Sequence, residues 1–194
     1  MAFSTPCSRR SSLYCLLLGA WLLACCTLAR ADSIFVQSVD LTPEDDEYYL
    51  SASFSIGLTP TVEEALNHGV PLYFLVEFEL IYPRWYTLYF WNKRLVELQQ
   101  IYRLSYNALT RQYRLSYGVL HLSFDTLEDA LSVLGGIENQ PVFENSVLDE
   151  DRVYEAQIRM RLDTGRLPKP FQIDALASDA WDVSSSWFRW TLKR

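Results

Sequence analysis

The chain has 194 residues, of which 49% are apolar and 21% charged, a composition that fits one globular domain and excludes a disordered or collagen-like polymer. With 17 basic against 24 acidic residues it carries a formal charge of −7, which sets it against phosphate backbones and argues against nucleic-acid binding.

The N-terminus has the layout of a secretory signal. Arg9 and Arg10 precede an apolar run from Leu13 to Leu28, and Ala29-Arg30-Ala31 supplies a small-residue cleavage pattern before Asp32. Residues 1–31 are therefore expected to be a signal peptide and residues 32–194 a single exported domain. Two variants of this reading exist. Leu22-Leu23-Ala24-Cys25 resembles a lipoprotein box, which would place a lipid on Cys25, and an uncleaved apolar run would act as a membrane anchor.

All four cysteines, Cys7, Cys15, Cys25 and Cys26, lie in that segment, so a chain beginning at Asp32 has no thiol. Disulfides, thiolate metal ligands and a cysteine nucleophile are then excluded, as suits an oxidising periplasm. Cleavage also removes Arg9, Arg10 and Arg30, leaving 14 basic against 24 acidic residues and a charge of −10.

In chain order, Ser33–Asp40 and Tyr48–Ile56 alternate with a period of two and predict strands, with Pro43 and the acidic residues 44–47 as the turn between them. Thr59-Pro60 offers a hydroxyl cap and a first-turn proline for a short helix with Val62, Ala65 and Leu66 on one face, closed at Gly69. Leu72–Tyr82 alternates Phe74, Val76, Phe78 and Leu80 against Tyr73, Leu75, Glu77 and Glu79, again a strand.

A strand over Leu95–Tyr106 contains Tyr102-Arg103-Leu104-Ser105-Tyr106, which recurs as Tyr113-Arg114-Leu115-Ser116-Tyr117. The polar residues between the copies predict a hairpin with the tyrosines and leucines inward and the arginines and serines outward. Leu120, Leu122 and Phe124 extend the pattern. Asp125, with Glu128 placed to bond back, then predicts the cap of a second helix whose stripe is Leu127, Ala130, Leu131 and Leu134, ended by Gly135-Gly136.

Residues 141–151 read as loop, Val153–Leu162 as a strand with one wet face, and the tail from Leu167 as turns around Pro168 and Pro170 before a last strand near Trp187–Leu192. The sum is a mainly β chain: an antiparallel, immunoglobulin-like β-sandwich of about eight strands, with two short helices in the connections.

Motifs for chemistry are sparse. His68 and His121 stand alone, with no metal-binding spacing around them, and no glycine pattern for a phosphate loop or a nucleophile elbow occurs. Ser184-Ser185-Ser186 has no histidine near it. Glu77 and Glu79 share a strand face in the manner of a carboxylate pair, for which solvated surface charge is the plainer reading. No catalytic residue, metal or cofactor is expected.

The most distinctive segment is Pro83–Arg94, where two tryptophans, two tyrosines and a phenylalanine precede Lys93 and Arg94. Arg84, Trp85, Tyr86, Tyr89, Trp91 and Arg94 make the candidate recognition surface, because rigid aromatics and arginine concentrate binding energy at interfaces. A core role for most of these aromatics is the alternative.

Residues Asn107–Leu115 and Phe124–Leu131, with Pro83-Arg84-Trp85 upstream, give the chain a resemblance to the uncharacterised "proline-rich signal peptide protein" family of proteobacteria. The resemblance implies export and a gene commonly beside a nitrogen-regulation-type sensor kinase and response regulator; it supplies no active-site residues. The expected function is a non-enzymatic periplasmic binding or accessory protein, with a membrane sensor kinase as its envelope partner. A carrier of an apolar ligand inside the sandwich is the first alternative and an envelope hydrolase the second.

Overall fold

The computed structural model describes residues 33–82, 93–149 and 152–193. Over these residues the chain is mainly β, with nine strands in two sheets and every pairing antiparallel. The smaller sheet runs β1-β2-β7, made of β1 (Ile34–Glu44), β2 (Glu47–Ile56) and β7 (Gly136–Glu144). The larger has the order β6-β5-β4-β3-β8-β9: β3 (Leu72–Tyr82), β4 (Lys93–Asn107), β5 (Gln112–Tyr117), β6 (Leu120–Phe124), β8 (Val153–Leu162) and β9 (Phe188–Lys193). Three strands and six differ from the four and three of an immunoglobulin constant domain.

Alternation in the sequence becomes facing in the sheets. Phe74, Val76, Phe78 and Leu80 of β3 point inward with Ile158 and Met160 of β8 and Leu50, Ala52 and Phe54 of β2, all nearly free of solvent. Phe143 of β7 stacks on Tyr48 with ring centroids 4.7 Å apart and reaches Phe78 at 6.3 Å, joining both sheets in one core. Each such side chain contributes about 1.5–3 kcal/mol by leaving water.

Among the described residues three α-helices sit in the connections. In α1 (Pro60–Asn67) the Thr59 hydroxyl accepts from the Val62 amide at 3.3 Å and donates to the Ala180 carbonyl at 2.6 Å, so the cap also ties the helix to the C-terminal segment. The cap of α2 (Leu127–Gly135) is Thr126, not Asp125: its hydroxyl accepts from the Asp129 amide at 3.1 Å and donates to the Asp129 carboxylate at 2.6 Å. Asp125 instead accepts from the Gln112 amide group at 3.1 Å. Among the described residues no helix is long and apolar enough to cross a membrane.

Other expectations are corrected. Pro43 does not begin the first turn but pairs with Tyr48 on the outermost strand β1, where a missing amide is tolerated; the reversal falls at Asp45, whose φ is 51°. The stretch expected as loop from Pro141 is in part β7, with Tyr49 opposite Pro141 and Tyr48 opposite Phe143. Two register shifts against β2 break its period and hide it from pattern reading. The proline-rich tail forms a third helix, α3 (Lys169–Ala177), because Pro170 stands in the first turn, where its lacking amide costs nothing. Strand β8 has no freely wet face, since Gln157 is buried and Glu155, Arg159 and Arg161 are half-buried.

Candidate functional site

The outward face of the six-stranded sheet is where the charge pattern of this chain changes sign. Residues opposite one another in adjacent strands share a face. The register sets Arg103 opposite Tyr73, Arg161 opposite Leu75, Arg159 opposite Glu77, Arg94 opposite Ile81, Arg189 opposite Gln157 and Arg114 opposite Ser105. With Lys193 opposite Val153, seven of the 17 basic residues therefore project from one face, accompanied by four of the 24 acidic ones, Glu77, Glu79, Glu97 and Glu155. That face has a formal charge of +3, against −10 for the rest of the chain.

Its centre is a network. Glu77 accepts from the Nε of Arg159 at 2.5 Å and from the Nε of Arg161 at 3.1 Å, while the Trp187 ring lies 4.3 Å beneath the Arg159 guanidinium. Burial alone would raise the Glu77 carboxyl, but the hydrogen bonds and charges of Arg159 and Arg161 win and hold it below the ordinary carboxylate range. Glu79 accepts from Gln157 at 2.6 Å and from Arg94 at 3.3 Å, and Gln157 accepts in turn from Arg189 at 3.0 Å.

These contacts change the reading of the Glu77 and Glu79 pair. The two share a strand face as expected, yet they are not freely solvated: Arg159 and Arg161 hold Glu77, and Gln157 and Arg94 hold Glu79. A general acid needs a raised pKa, and Glu77 is shifted the other way. Their role in the geometry is to fix arginine side chains flat on the sheet.

Toward β5 the arginines are free of carboxylates. Arg103 and Arg114 are exposed, and among the described residues neither enters an ion pair; Arg103 lies 6.0 Å from the Tyr73 ring centre. His121 of β6 stands on the same face, its Nδ1 2.8 Å from the Ser116 hydroxyl. Such guanidinium groups present donors in a planar fork suited to a carboxylate.

Of the recognition residues expected from sequence, Arg84, Trp85, Tyr86, Tyr89 and Trp91 lie outside the described residues. Arg94 opens β4 on the outward face, where its Nη1 donates to Glu79 and, at 3.1 Å, to Glu97. The arginine row on β5, β8 and β9 was missed as a unit. Arg103, Arg114, Arg159 and Arg161 are legible as outward-facing and Arg94 and Arg189 are not; strand order, which sequence alone does not supply, brings them together on one face.

The other candidates resolve into structural roles. Ser185 is buried and accepts from the Met160 amide at 3.0 Å, fastening the C-terminal segment to β8. His68 is exposed and its Nδ1 lies 2.8 Å from the Glu64 carbonyl oxygen, at the end of α1. Among the described residues no three His, Cys, Asp or Glu side chains gather as metal ligands do. Surface grooves among the described residues include one of about 520 Å3 between β2 and α2, lined by Ser53, Ser55, Leu127 and Leu131, and one of about 460 Å3 between α1 and α3, lined by Ala65, Phe171 and Trp181.

Residues 31–191 match the family described as a domain of unknown function (DUF4390), and the chain belongs to that family. No curated protein matches the chain. No solved structure matches it.

Proposed function

We propose that this member of the family is a non-enzymatic binding or accessory protein of the cell envelope, exported by its N-terminal segment. Its contact surface is the arginine-bearing outer face of the six-stranded sheet, with the segment Arg84–Trp91, which precedes Arg94 in sequence, as the second recognition candidate. The observation that carries this reading is the sign reversal: a face of formal charge +3 on a chain of −7, with Arg103 and Arg114 exposed and unpaired among the described residues. The complementary partner presents a patch of carboxylates. The outward domain of a membrane sensor kinase is the candidate that the sequence resemblance nominates.

The scaffold reading is a β-sandwich, three strands laid on six, whose Glu77 network preorganises Arg159 and Arg161 and so lowers the entropy those two lose on binding. Carriage of an apolar ligand between the sheets is the weaker reading, because Tyr48, Phe78 and Phe143 already fill that space. Export is supported by the signal-like N-terminus and by a family match that begins at residue 31, beside the cleavage pattern.

The test is charge reversal. With chemical crosslinking in cell envelopes, the native protein is expected to capture one dominant partner in a salt-sensitive manner. The double variant Arg103→Glu, Arg114→Glu is expected to lose that partner while keeping its thermal midpoint. Capture of the same partner by the double variant, at the same salt concentration, would sink the reading.

A further inference from the structure

A second surface is built differently and lies at the edge of the large sheet. The two sheets have four edges, and three of them carry devices that discourage strand pairing. Strand β1 has a register shift between Val36 and Ser38, with Asp40, Pro43 and Glu44 along it; β7 has two shifts against β2, with Glu138, Pro141 and Glu144; β9 carries Arg189 and Lys193. Strand β6 has none of these. Leu120-His121-Leu122-Ser123-Phe124 pairs with β5 in unbroken register and contains no proline and no Asp, Glu, Lys or Arg. Among devices of this kind it keeps shortness alone, five residues.

Beside this edge, on the inward side, is a pocket of about 200 Å3 with Leu115, Leu120, Leu122, Val133 and Ile137 in its wall. Leu120 is 53% exposed, Leu122 36% and Val133 43%, so the apolar rim faces solvent. The pocket ends on polar groups held in place: Tyr102 stacks on Tyr117 at 4.9 Å and donates to Oε1 of Gln100, and the Gln100 side-chain amide donates to Tyr117 and Gln140. Glu138 is the charged residue of the lining, exposed and in no ion pair among the described residues.

We infer that β6 is a docking edge for an extended segment of a partner protein, one that places a large apolar side chain in the pocket and a basic side chain, two residues away, against Glu138. Main-chain bonds to the open side of β6 supply affinity, and the side chains at alternate positions supply selectivity. The size of the pocket suits one side chain. Charge selects the occupant: the unpaired Glu138 and the acidic balance of the chain favour a basic strand and disfavour a second copy of this protein. This edge is distinct from the arginine face, which selects carboxylates, so either assignment can fail without the other.

The test uses the exported chain and a fluorescent synthetic peptide of alternating threonine with leucine or lysine, read by anisotropy and by amide hydrogen exchange at residues 120–124. The lysine peptide is expected to bind saturably and to slow exchange in β6, and its counterpart with glutamate for lysine to bind at least about fivefold more weakly. Glu138→Lys is expected to invert that preference. Leu122→Lys is expected to weaken both peptides; should it unfold the chain, Val133→Lys on α2 probes the same rim. Absence of binding, equal binding of the two peptides, or undiminished binding of a peptide N-methylated at alternate amides overturns the inference. So does a protein that is dimeric by itself with its β6 amides already protected, since a second copy would then hold the edge.

Discussion

Leu104 of β4 lies directly opposite Leu115 of β5, and the two are 0% and 4% exposed. They are the central residues of the repeated Tyr-Arg-Leu-Ser-Tyr segments, so the repeat in sequence is a pair of neighbours in space. Replacing either leucine by alanine is expected to lower the unfolding free energy by about 2–5 kcal/mol, from lost burial and the cavity left behind. Denaturant titration measures this. A loss below about 0.5 kcal/mol at both sites would contradict the burial.

Gly135, the last residue of α2, approaches β2 so closely that a Cβ there would lie 2.3 Å from the Phe54 carbonyl oxygen. That neighbour is backbone and cannot rotate away. Gly135→Ala is therefore expected to destabilise by about 1–3 kcal/mol, whereas Gly136→Ala, whose nearest such neighbour is at 3.7 Å, costs little. Thermal melts of the two variants side by side decide the point, and equal melting temperatures would refute it.

What was legible in the sequence follows the physics of each element. Strand β3 and strand β8 were delimited in full, because ten or eleven residues of unbroken alternation leave no other periodicity. The α1 cap was legible because Thr59-Pro60 is a local signal, satisfied within one turn. Strand β7 was not, since its bulges and Pro141 look like turn chemistry until β2 is known to lie beside it. Helix α3 was missed for a related reason: none of its residues is buried, so it has no apolar stripe to read. The arginine face lies beyond pattern reading altogether, because Arg94, Arg103, Arg159 and Arg189 come from three strands that only tertiary order brings into one surface.

Glu77 and Tyr102 act toward opposite ends of the pH profile. Glu77 is held below the ordinary carboxylate range in the folded chain, so its contribution is complete above the unfolded value and is lost as pH falls through the folded one. Tyr102 is pushed up to about 12, by burial first and by Tyr117 second. Its neutral hydroxyl favours the folded chain, so stability from this group is complete below the ordinary tyrosine value near 10 and declines as pH rises toward 12. Glu77→Gln is expected to flatten the acid limb and Tyr102→Phe the alkaline limb. Urea midpoints across the pH range measure both, and limbs of unchanged steepness in the two variants would remove these groups as the cause.

Export makes a prediction about mass. Cleavage after Ala31 leaves a protein that begins at Asp32 and contains no cysteine. Intact-mass measurement of envelope material is expected to return that species, unreactive to thiol reagents. A lipid-bearing Cys25 at the N-terminus would replace the soluble reading with a lipoprotein.

The last prediction concerns Trp85 and Trp91, which precede Arg94 in sequence. Arg94 is fixed on the outward face by Glu79 and Glu97, so the chain enters β4 at the border of the arginine row. If the preceding aromatics serve recognition, removing one ring takes away contact area with a partner and little of the fold, because large rigid side chains supply binding energy at small entropic cost. Trp85→Ala and Trp91→Ala, made singly, are then expected to keep the native melting temperature within a few degrees and to weaken partner capture at least about tenfold, the equivalent of roughly 1.4 kcal/mol. If the rings are core instead, each truncation costs about 3–5 kcal/mol and lowers the melting temperature sharply. Arg94→Ala serves as the control: its side chain is 58% exposed, so breaking its pairs with Glu79 and Glu97 is expected to cost at most about 1 kcal/mol. Two tryptophan variants that melt far below the native protein yet capture the same partner with undiminished affinity would assign the segment to the core and leave the arginine face to act without it.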